Sequence, residues 1–123
     1  MSDFDTGAAT RAIDAALGGP GGLGLVFTVF ASVPGVTRTP PRKSLFRSEP
    51  ERVQIGSWRY EVTSDERIRA AHVVGGIVLA EELLPAATIA PHLARALAEI
   101  AASYGPTALP HLSAALDVLA GPG

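Results

Sequence analysis

The sequence predicts an α+β fold: an N-terminal helix, a mainly antiparallel β-sheet, and two C-terminal amphipathic helices packed on the sheet. Strand-like segments follow one another through the middle of the chain, helical patterns stand at both ends, and one helical pattern is written twice. Strands that are adjacent in sequence, with the helices segregated from them, are typical of an antiparallel sheet. With 123 residues the chain is long enough for one core, so residues 1–123 are expected to form a single domain.

Composition excludes several classes of function. The chain has no cysteine, which rules out disulfides, thiolate catalysis and zinc–thiolate sites. A formal net charge of -2 gives no general attraction to nucleic acid. The longest apolar run, residues 23–31, is far shorter than the roughly 20 residues that span a bilayer, so no transmembrane segment is expected. The acidic N-terminus lacks a signal-peptide pattern, and a cytoplasmic location is the expectation.

The first third of the chain predicts a helix and then a strand. Residues 6–17 place Ala9, Ala12 and Ile13 at helical spacing, and a Gly-Gly-Pro sequence ends that helix. Residues 23–33 carry β-branched and aromatic side chains at both alternating positions, which predicts a central strand covered on both faces. The two prolines that follow predict an extended or loop segment over residues 37–42.

Two strands are predicted on either side of Gly56. Val53 and Ile55 precede the glycine, and Trp58 and Tyr60 alternate with polar residues after it. The apolar side chains therefore lie at odd-numbered positions before the glycine and at even-numbered positions after it. Either a two-residue hairpin turn with glycine first or a bulge explains this change. We favour the hairpin.

The next segment is a long apolar stretch. After a turn at residues 64–66, residues 67–84 predict a long strand that the glycine pair at 75–76 bends. A helix from residue 70 onward is the alternative, although two central glycines would cost it about 2 kcal/mol. Pro85 ends the element.

The two C-terminal helices share one pattern. Residues 88–101, TIAPHLARALAEIA, return as residues 107–120, TALPHLSAALDVLA. Each copy opens on a threonine, Thr88 or Thr107, that predicts an N-cap, and carries a proline three positions on. Each has one apolar stripe that must be buried against the sheet, a ligand or a partner. The stripes are Ile89, Leu93, Leu97, Ile100 and Tyr104 in the first copy, and Leu109, Leu112, Leu116 and Leu119 in the second.

Two motifs are better explained by structure than by chemistry. Residues 19–24 match the G-x-G-x-x-G pattern, but a helix precedes them and a predicted strand follows, which is the reverse of a dinucleotide site. A linker is favoured. Five basic residues lie in one segment, where an anion site competes with a solvated loop, and Glu49 and Glu51 favour the loop. The five are Arg38, Arg42, Lys43, Arg47 and Arg52.

The three histidines are the candidates for acid–base or metal chemistry. His92 and His111 occupy the same place in the two repeated helices, without an acidic or histidine ligand at the spacing that metal sites use. We expect them to be structural and predict no metal ion and no cofactor. If the chain is an enzyme, the least implausible acid–base pair is His72 with Glu81 or Glu82.

The order of elements and several local motifs carry a resemblance to known proteins. The relevant segments are the N-terminal helix, residues 26–30 (VFTVF), residues 56–62 (GSWRYEV) and the closing amphipathic helices. In this layout the chain resembles small sterol-carrier-protein-like domains. It is also similar to small uncharacterised actinobacterial proteins that carry a strand like residues 72–79 (HVVGGIVL) before a Leu-Pro and a helix. The resemblance implies a non-catalytic domain with an apolar groove that can hold a lipid.

The predicted function is a non-enzymatic binding domain for a hydrophobic small molecule or lipid, because the apolar stripes are not accompanied by a polar constellation suited to catalysis. The alternative is a protein-interaction module or homodimer, in which another chain covers the same stripes. Nucleic acid is not an expected partner. The side chains expected to line the apolar cleft are Phe27, Trp58, Leu93, Leu97 and Leu116.

Overall fold

The computed structural model describes residues 4–39, 42–43, 48–63 and 67–121. Two helices come first, α1 (Thr6–Leu17) and α2 (Gly22–Phe30). The strands of the described residues are β1 (Val36–Thr39), β2 (Arg42–Lys43), β3 (Ser48–Glu49), β4 (Arg52–Ile55), β5 (Trp58–Val62), β6 (Ile68–Val74) and β7 (Ile77–Leu84). After them come α3 (Ala86–Tyr104), a short 3₁₀ helix (Gly105–Thr107) and α4 (Leu109–Ala120). This order confirms the predicted α+β class.

The main sheet has five strands in the order β1, β4, β5, β6 and β7, and every neighbouring pair is antiparallel. Strands β2 and β3 form a separate pair. Ile55 is opposite Trp58 across the turn between β4 and β5, and Gly56 has a φ of +59°. The two-residue hairpin with glycine first is therefore confirmed. The turn predicted at residues 64–66 lies outside the described residues.

The strand predicted for residues 23–33 is wrong, because this segment forms the helix α2. Val26, Phe27 and Phe30 are buried and lie three and four residues apart, which is the spacing of one helical face. A short run that is apolar at almost every position fits the helical period of about 3.6 residues as well as the strand period of about 2. Its β-branched and aromatic content therefore does not decide between a helix and a strand. Burial of one face against the helical layer overrides the intrinsic preference for strand.

The single bent strand predicted for residues 67–84 is also wrong, as is the helix from residue 70. Gly75 and Gly76, with φ of +59° and +81°, form the turn between two separate strands. A left-handed conformation at two successive positions is what glycine tolerates and other residues do not. Pro85 follows the last residue of β7, as expected.

The threonine caps predicted at Thr88 and Thr107 are wrong. Helix α3 begins two residues before Thr88, and the Thr88 hydroxyl donates a hydrogen bond to the carbonyl oxygen of Pro85 at 2.8 Å. Thr107 lies in the 3₁₀ helix that precedes α4. The repeated sequence therefore starts its two helices at different points: Pro91 lies inside α3, whereas Pro110 lies in the first turn of α4.

The hydrophobic core lies between the sheet and a layer of helices. Helix α1 packs against α3 and α4, α3 reaches β4 of the sheet, and α4 packs mainly on α1 and α2. The predicted helix over residues 6–17 is confirmed as α1, with Ala9, Ala12, Ile13 and Ala16 buried. The largest fully buried side chains are Tyr60, Phe27, Phe30, Ile13, Ile55, Ile68, Leu93, Leu97, Ile100, Leu112, Val26 and Val53.

Part of the basic segment is neutralised within the chain. Arg38 forms an ion pair with Glu51, and Arg52 donates to Glu61 across β4 and β5 at 2.9 Å. These contacts support the interpretation of this segment as a solvated surface. The side chains of Arg42, Lys43 and Arg47 lie outside what the structure describes.

Within the described ranges, none of the helices has both the length and the apolar character that crossing a bilayer requires.

The first helix has a cap that can be tested. The Asp5 side chain accepts a hydrogen bond from the amide of Ala8 at 3.1 Å. We expect Asp5→Ala to lower the free energy of unfolding by about 1 kcal/mol, and Asp5→Asn to change it little, because asparagine keeps the acceptor. Urea unfolding measures both. Thr107→Ala is the control and should stay within about 0.5 kcal/mol of wild type; a loss equal to that of Asp5→Ala would contradict this assignment.

Candidate functional site

The five residues predicted to line a cleft all belong to the core or pack against it. Phe27, Leu93 and Leu97 are fully buried in the common core. Trp58 is half-buried at the edge of that core, on β5. Leu116, on α4, packs against the same core and lines a cavity open to solvent.

The cavity at Leu116 lies between the start of α1 and one side of α4. Its volume is about 360 Å³, and it is open to solvent on one side. Its floor is mostly apolar, with two carboxylates and one hydroxyl at the rim. The lining residues are Phe4, Asp5, Ala8, Leu109, Leu112, Ser113, Leu116 and Asp117.

A cluster of aromatic and imidazole rings joins β5 and β6 to α3. Trp58 stacks on His72 with ring centroids 4.7 Å apart, and it meets His92 edge to face at 4.5 Å. His72 is directly opposite Trp58 in the sheet, which explains the stack, since opposite side chains in a ladder share one face. His92 extends from α3 and also meets the Tyr60 ring edge to face.

Tyr60 and His92 form the buried polar contact of this cluster. The Tyr60 hydroxyl lies 2.7 Å from His92 Nδ1. Burial raises the pKa of Tyr60, and the Glu99 carboxylate raises it further, so the hydroxyl stays protonated and donates. Burial lowers the pKa of His92, the Arg95 guanidinium lowers it further, and Glu82 opposes both. The imidazole is therefore neutral, with Nδ1 as acceptor and its proton on Nε2.

A second polar contact fastens the same helix to the turn before β5. Glu99 Oε1 accepts from the Ser57 amide at 2.8 Å and from the Ser57 hydroxyl at 2.6 Å. A Cβ atom on Gly56 would lie 2.7 Å from that oxygen. The glycine thus serves two needs at once, the left-handed turn and the close approach of the carboxylate.

Beyond α3, the hairpin of β6 and β7 is uncovered. We call residues 74–83 the hairpin arm. Every residue of the arm is exposed, and β7 is exposed from Ile77 through Leu83. The large apolar side chains among them are Val74 (49% exposed), Ile77 (65%), Val78 (45%), Leu79 (61%) and Leu83 (44%).

The acid–base pair considered from sequence is only partly assembled. His72 is opposite Ala80, and Ala70 is opposite Glu82, so His72 and Glu82 share one face of the sheet as diagonal neighbours. Glu81 lies on the other face. Neither carboxylate forms a hydrogen bond or ion pair with His72 among the residues that the structure describes. The described residues also contain no group of three His, Asp or Glu side chains placed to hold a metal ion.

The sequence predicts a role for Trp58 but does not predict its partners. It predicts a structural His92 in the first turn of a helix, whereas the structure places His92 inside α3 and against Tyr60. His111, its counterpart in the repeat, is exposed on α4. The alternation of Trp58 and Tyr60 along β5 is visible in the sequence. Only the pairing of β5 with β6 shows that His72 lies on the same face as these two side chains.

The buried imidazole makes stability depend on pH. Because the pKa of His92 is lower in the folded chain than in the unfolded chain, its contribution is complete above the unfolded value of about 6.5. It is lost as the pH falls below that value. We expect the free energy of unfolding in urea to be constant between pH 8 and 7 and to fall between pH 6.5 and 5.5.

Two matched substitutions assign that slope. His92→Asn removes the titrating group, keeps an acceptor for the Tyr60 hydroxyl, and should flatten the dependence over this window. His111→Asn changes an exposed histidine and should leave the slope intact. The same slope in all three proteins would show that the buried imidazole is not its source.

A family model described as a domain of unknown function (DUF5073) matches residues 1–121. The search of curated proteins and the search of solved structures each gave no match. Because the matching model covers almost the whole sequence, the chain belongs to the DUF5073 family.

Proposed function

We propose that the protein is a non-enzymatic interaction domain and that its hairpin arm binds another protein chain. The observation that carries this proposal is the exposure of five large apolar side chains on one hairpin, each more than two-fifths exposed. Single exposed apolar residues are common on protein surfaces, whereas several on one element are typical of a binding surface. Val74 and Ile77 lie on the face of the sheet that carries Glu82, and Val78 and Leu83 lie on the other face. The predicted cytoplasmic location is part of the same proposal.

The arm contributes little to the core of its own chain. In β7 only Leu84, the last residue, is buried. Burying apolar surface is favourable by roughly 25 cal/mol per Å². A partner chain that covers the arm would therefore gain binding free energy from apolar surface that folding of this domain leaves exposed. The hairpin is thus better explained by a partner than by the stability of this domain.

Charge favours a protein partner over a membrane surface. The arm carries two carboxylates, Glu81 and Glu82, and no lysine or arginine. Anionic lipid headgroups repel carboxylates and attract basic clusters. A protein surface can offer apolar side chains together with basic ones, and so fits the arm better.

The polar groups near the cluster support a non-enzymatic role. His92 Nδ1 is occupied by the Tyr60 hydroxyl, and Glu99 Oε1 by Ser57. A general base needs a free lone pair within reach of a substrate proton. The neutral tautomer of His92 presents a donor at its other nitrogen, which suits binding and positioning better than proton abstraction.

Site-specific crosslinking in the producing cell tests the interaction function. A benzophenone side chain at Leu79 should give one discrete crosslinked species, whose partner chain and contact site are identified by mass spectrometry. The control is the same group at Val118, which is 58% exposed on α4 but lies outside the arm. Equal yields from the two positions, or none from Leu79, would count against the arm as an interaction surface.

A hydrophobic small molecule or lipid is the second candidate, as in the sterol-carrier-like prediction. The observation that favours it is the cavity of about 360 Å³ whose floor includes Leu112 and the predicted residue Leu116. Pockets for small ligands are commonly a few hundred Å³, mostly apolar, and edged by a few polar groups. This cavity has that composition, although it is open on one side.

Filling the cavity tests this second function. Ser113 is exposed at the rim, and Ser113→Trp should abolish binding of a fluorescent fatty acid while leaving the core intact. Ser103→Trp, at an exposed position on α3, is the matched control and should bind as wild type does. Equal binding by both variants, or none by wild type, would remove the cavity as a ligand site.

A further inference from the structure

We infer that the chain covering the arm is a second copy of this protein, packed about a twofold axis that places Glu82 of each copy beside Arg95 of the other. This inference rests on the proposed interaction function and specifies its partner. Most homo-oligomers of soluble proteins are twofold dimers, whose interface presents the same patch on both subunits. The patch must therefore be complementary to itself.

The bulge in β7 argues against open-ended pairing of its edge. The register shifts between His72, which faces Ala80, and Val73, which faces Val78. Leu79 is left without a partner at that point. A bulge at a sheet edge interrupts the row of free backbone groups that another strand would need, and charged residues on the edge have the same effect. Contact through side chains of the arm is favoured over addition of a further strand.

Glu82 within the arm and Arg95 on α3 meet the requirement of self-complementarity. Glu82 lies on the face of the sheet that carries Tyr60 and Ala70, because Ala70 is opposite both residues. Arg95 lies three residues after His92 on α3 and is exposed, as Glu82 is. His92 meets Trp58 and Tyr60 on that same face of the sheet, so α3 carries Arg95 on the side of the sheet where Glu82 lies.

Neither charge has an ion-pair partner within the part of the chain that the structure describes. One acidic group within the arm and one basic group on α3 are therefore both available. A twofold operation brings the acid of each copy to the base of the other, which gives two equivalent ion pairs. A partner of a single charge sign would match one group and oppose the other.

The size of the surface sets the expected affinity. A standard interface uses about 20–30 residues from each partner, whereas the arm has ten residues and its surroundings add only a few. Small interfaces belong to weaker complexes. We therefore expect a dimer that forms and dissociates in the micromolar range and does not persist at nanomolar concentration.

Analytical ultracentrifugation with charge-exchange variants tests this arrangement. Wild-type protein should approach twice the chain mass of 12.7 kDa as its concentration rises through the micromolar range. Glu82→Arg alone and Arg95→Glu alone should each weaken self-association about tenfold or more, since each creates two like-charge contacts. The double variant, and an equimolar mixture of the two single variants, should recover association.

Circular dichroism spectra and urea midpoints equal to those of wild type establish that the charge variants fold. Leu79→Ser is a further variant, which should weaken association without changing the charge of the chain. If the wild-type protein stays monomeric up to about 200 µM, the order of magnitude of the dissociation constant expected for the weakest interfaces of this size, the partner is not a second copy. A crosslink from Leu79 to a different protein would then leave the interaction function standing. Dimerisation unaffected by the charge variants overturns the twofold arrangement.

Discussion

The position of α3 on the sheet is the constraint on which the rest of the molecule depends. Two polar contacts hold this helix over the same strand: His92 with Tyr60 in the middle of β5, and Glu99 with Ser57 at its beginning. The two helical residues are seven apart, so they lie on one face of α3, about 10 Å from each other along its axis. Together they determine both where the helix lies and how it is rotated.

The contact between His92 and Tyr60 is specific because it is made where water is largely excluded. Tyr60 is fully buried and His92 is 7% exposed. A buried polar group that loses its partner costs about 1–3 kcal/mol, so a shift of the helix by one turn would leave several groups unsatisfied. Apolar packing alone would tolerate such a shift more readily. Gly56 completes the arrangement, since a side chain there would obstruct the Glu99 carboxylate.

Fastening α3 over β5 leaves the far side of the sheet open. Strands β6 and β7 extend beyond the helix, and the only buried residue of β7 is the one next to Pro85. The fold thus leaves the arm uncovered, while α3, the helix that carries Arg95, is held over β5.

Local sequence signals were sufficient for some elements and misleading for others. The apolar spacing in residues 6–17 and the parity switch at Gly56 were read correctly because each depends on neighbours in sequence. The sequence predicts a strand over residues 23–33, where the structure has α2, since an almost continuous apolar run fits both the helical and the strand period. The repeated threonines looked like caps, although α3 begins at Ala86 after Pro85.

The candidate site was less accessible from sequence than the fold. The sequence predicts Trp58 as a ligand contact, but its stacking on His72 depends on the strand register, and its contact with His92 depends on the docking of α3. The arm was hidden for a different reason. Its Val, Ile and Leu residues have the composition of a buried strand, and only the tertiary structure shows that no part of the described chain covers them.

Hydrogen–deuterium exchange as a function of protein concentration measures the central claim most directly. If the arm is an interface between copies, amides of residues 74–83 should exchange more slowly as the concentration rises through the micromolar range, because a partner covers them. Amides of α4, which has no part in the interface, should exchange at a constant rate. An arm whose exchange is the same at all concentrations, and as fast as that of a free hairpin, would contradict the account.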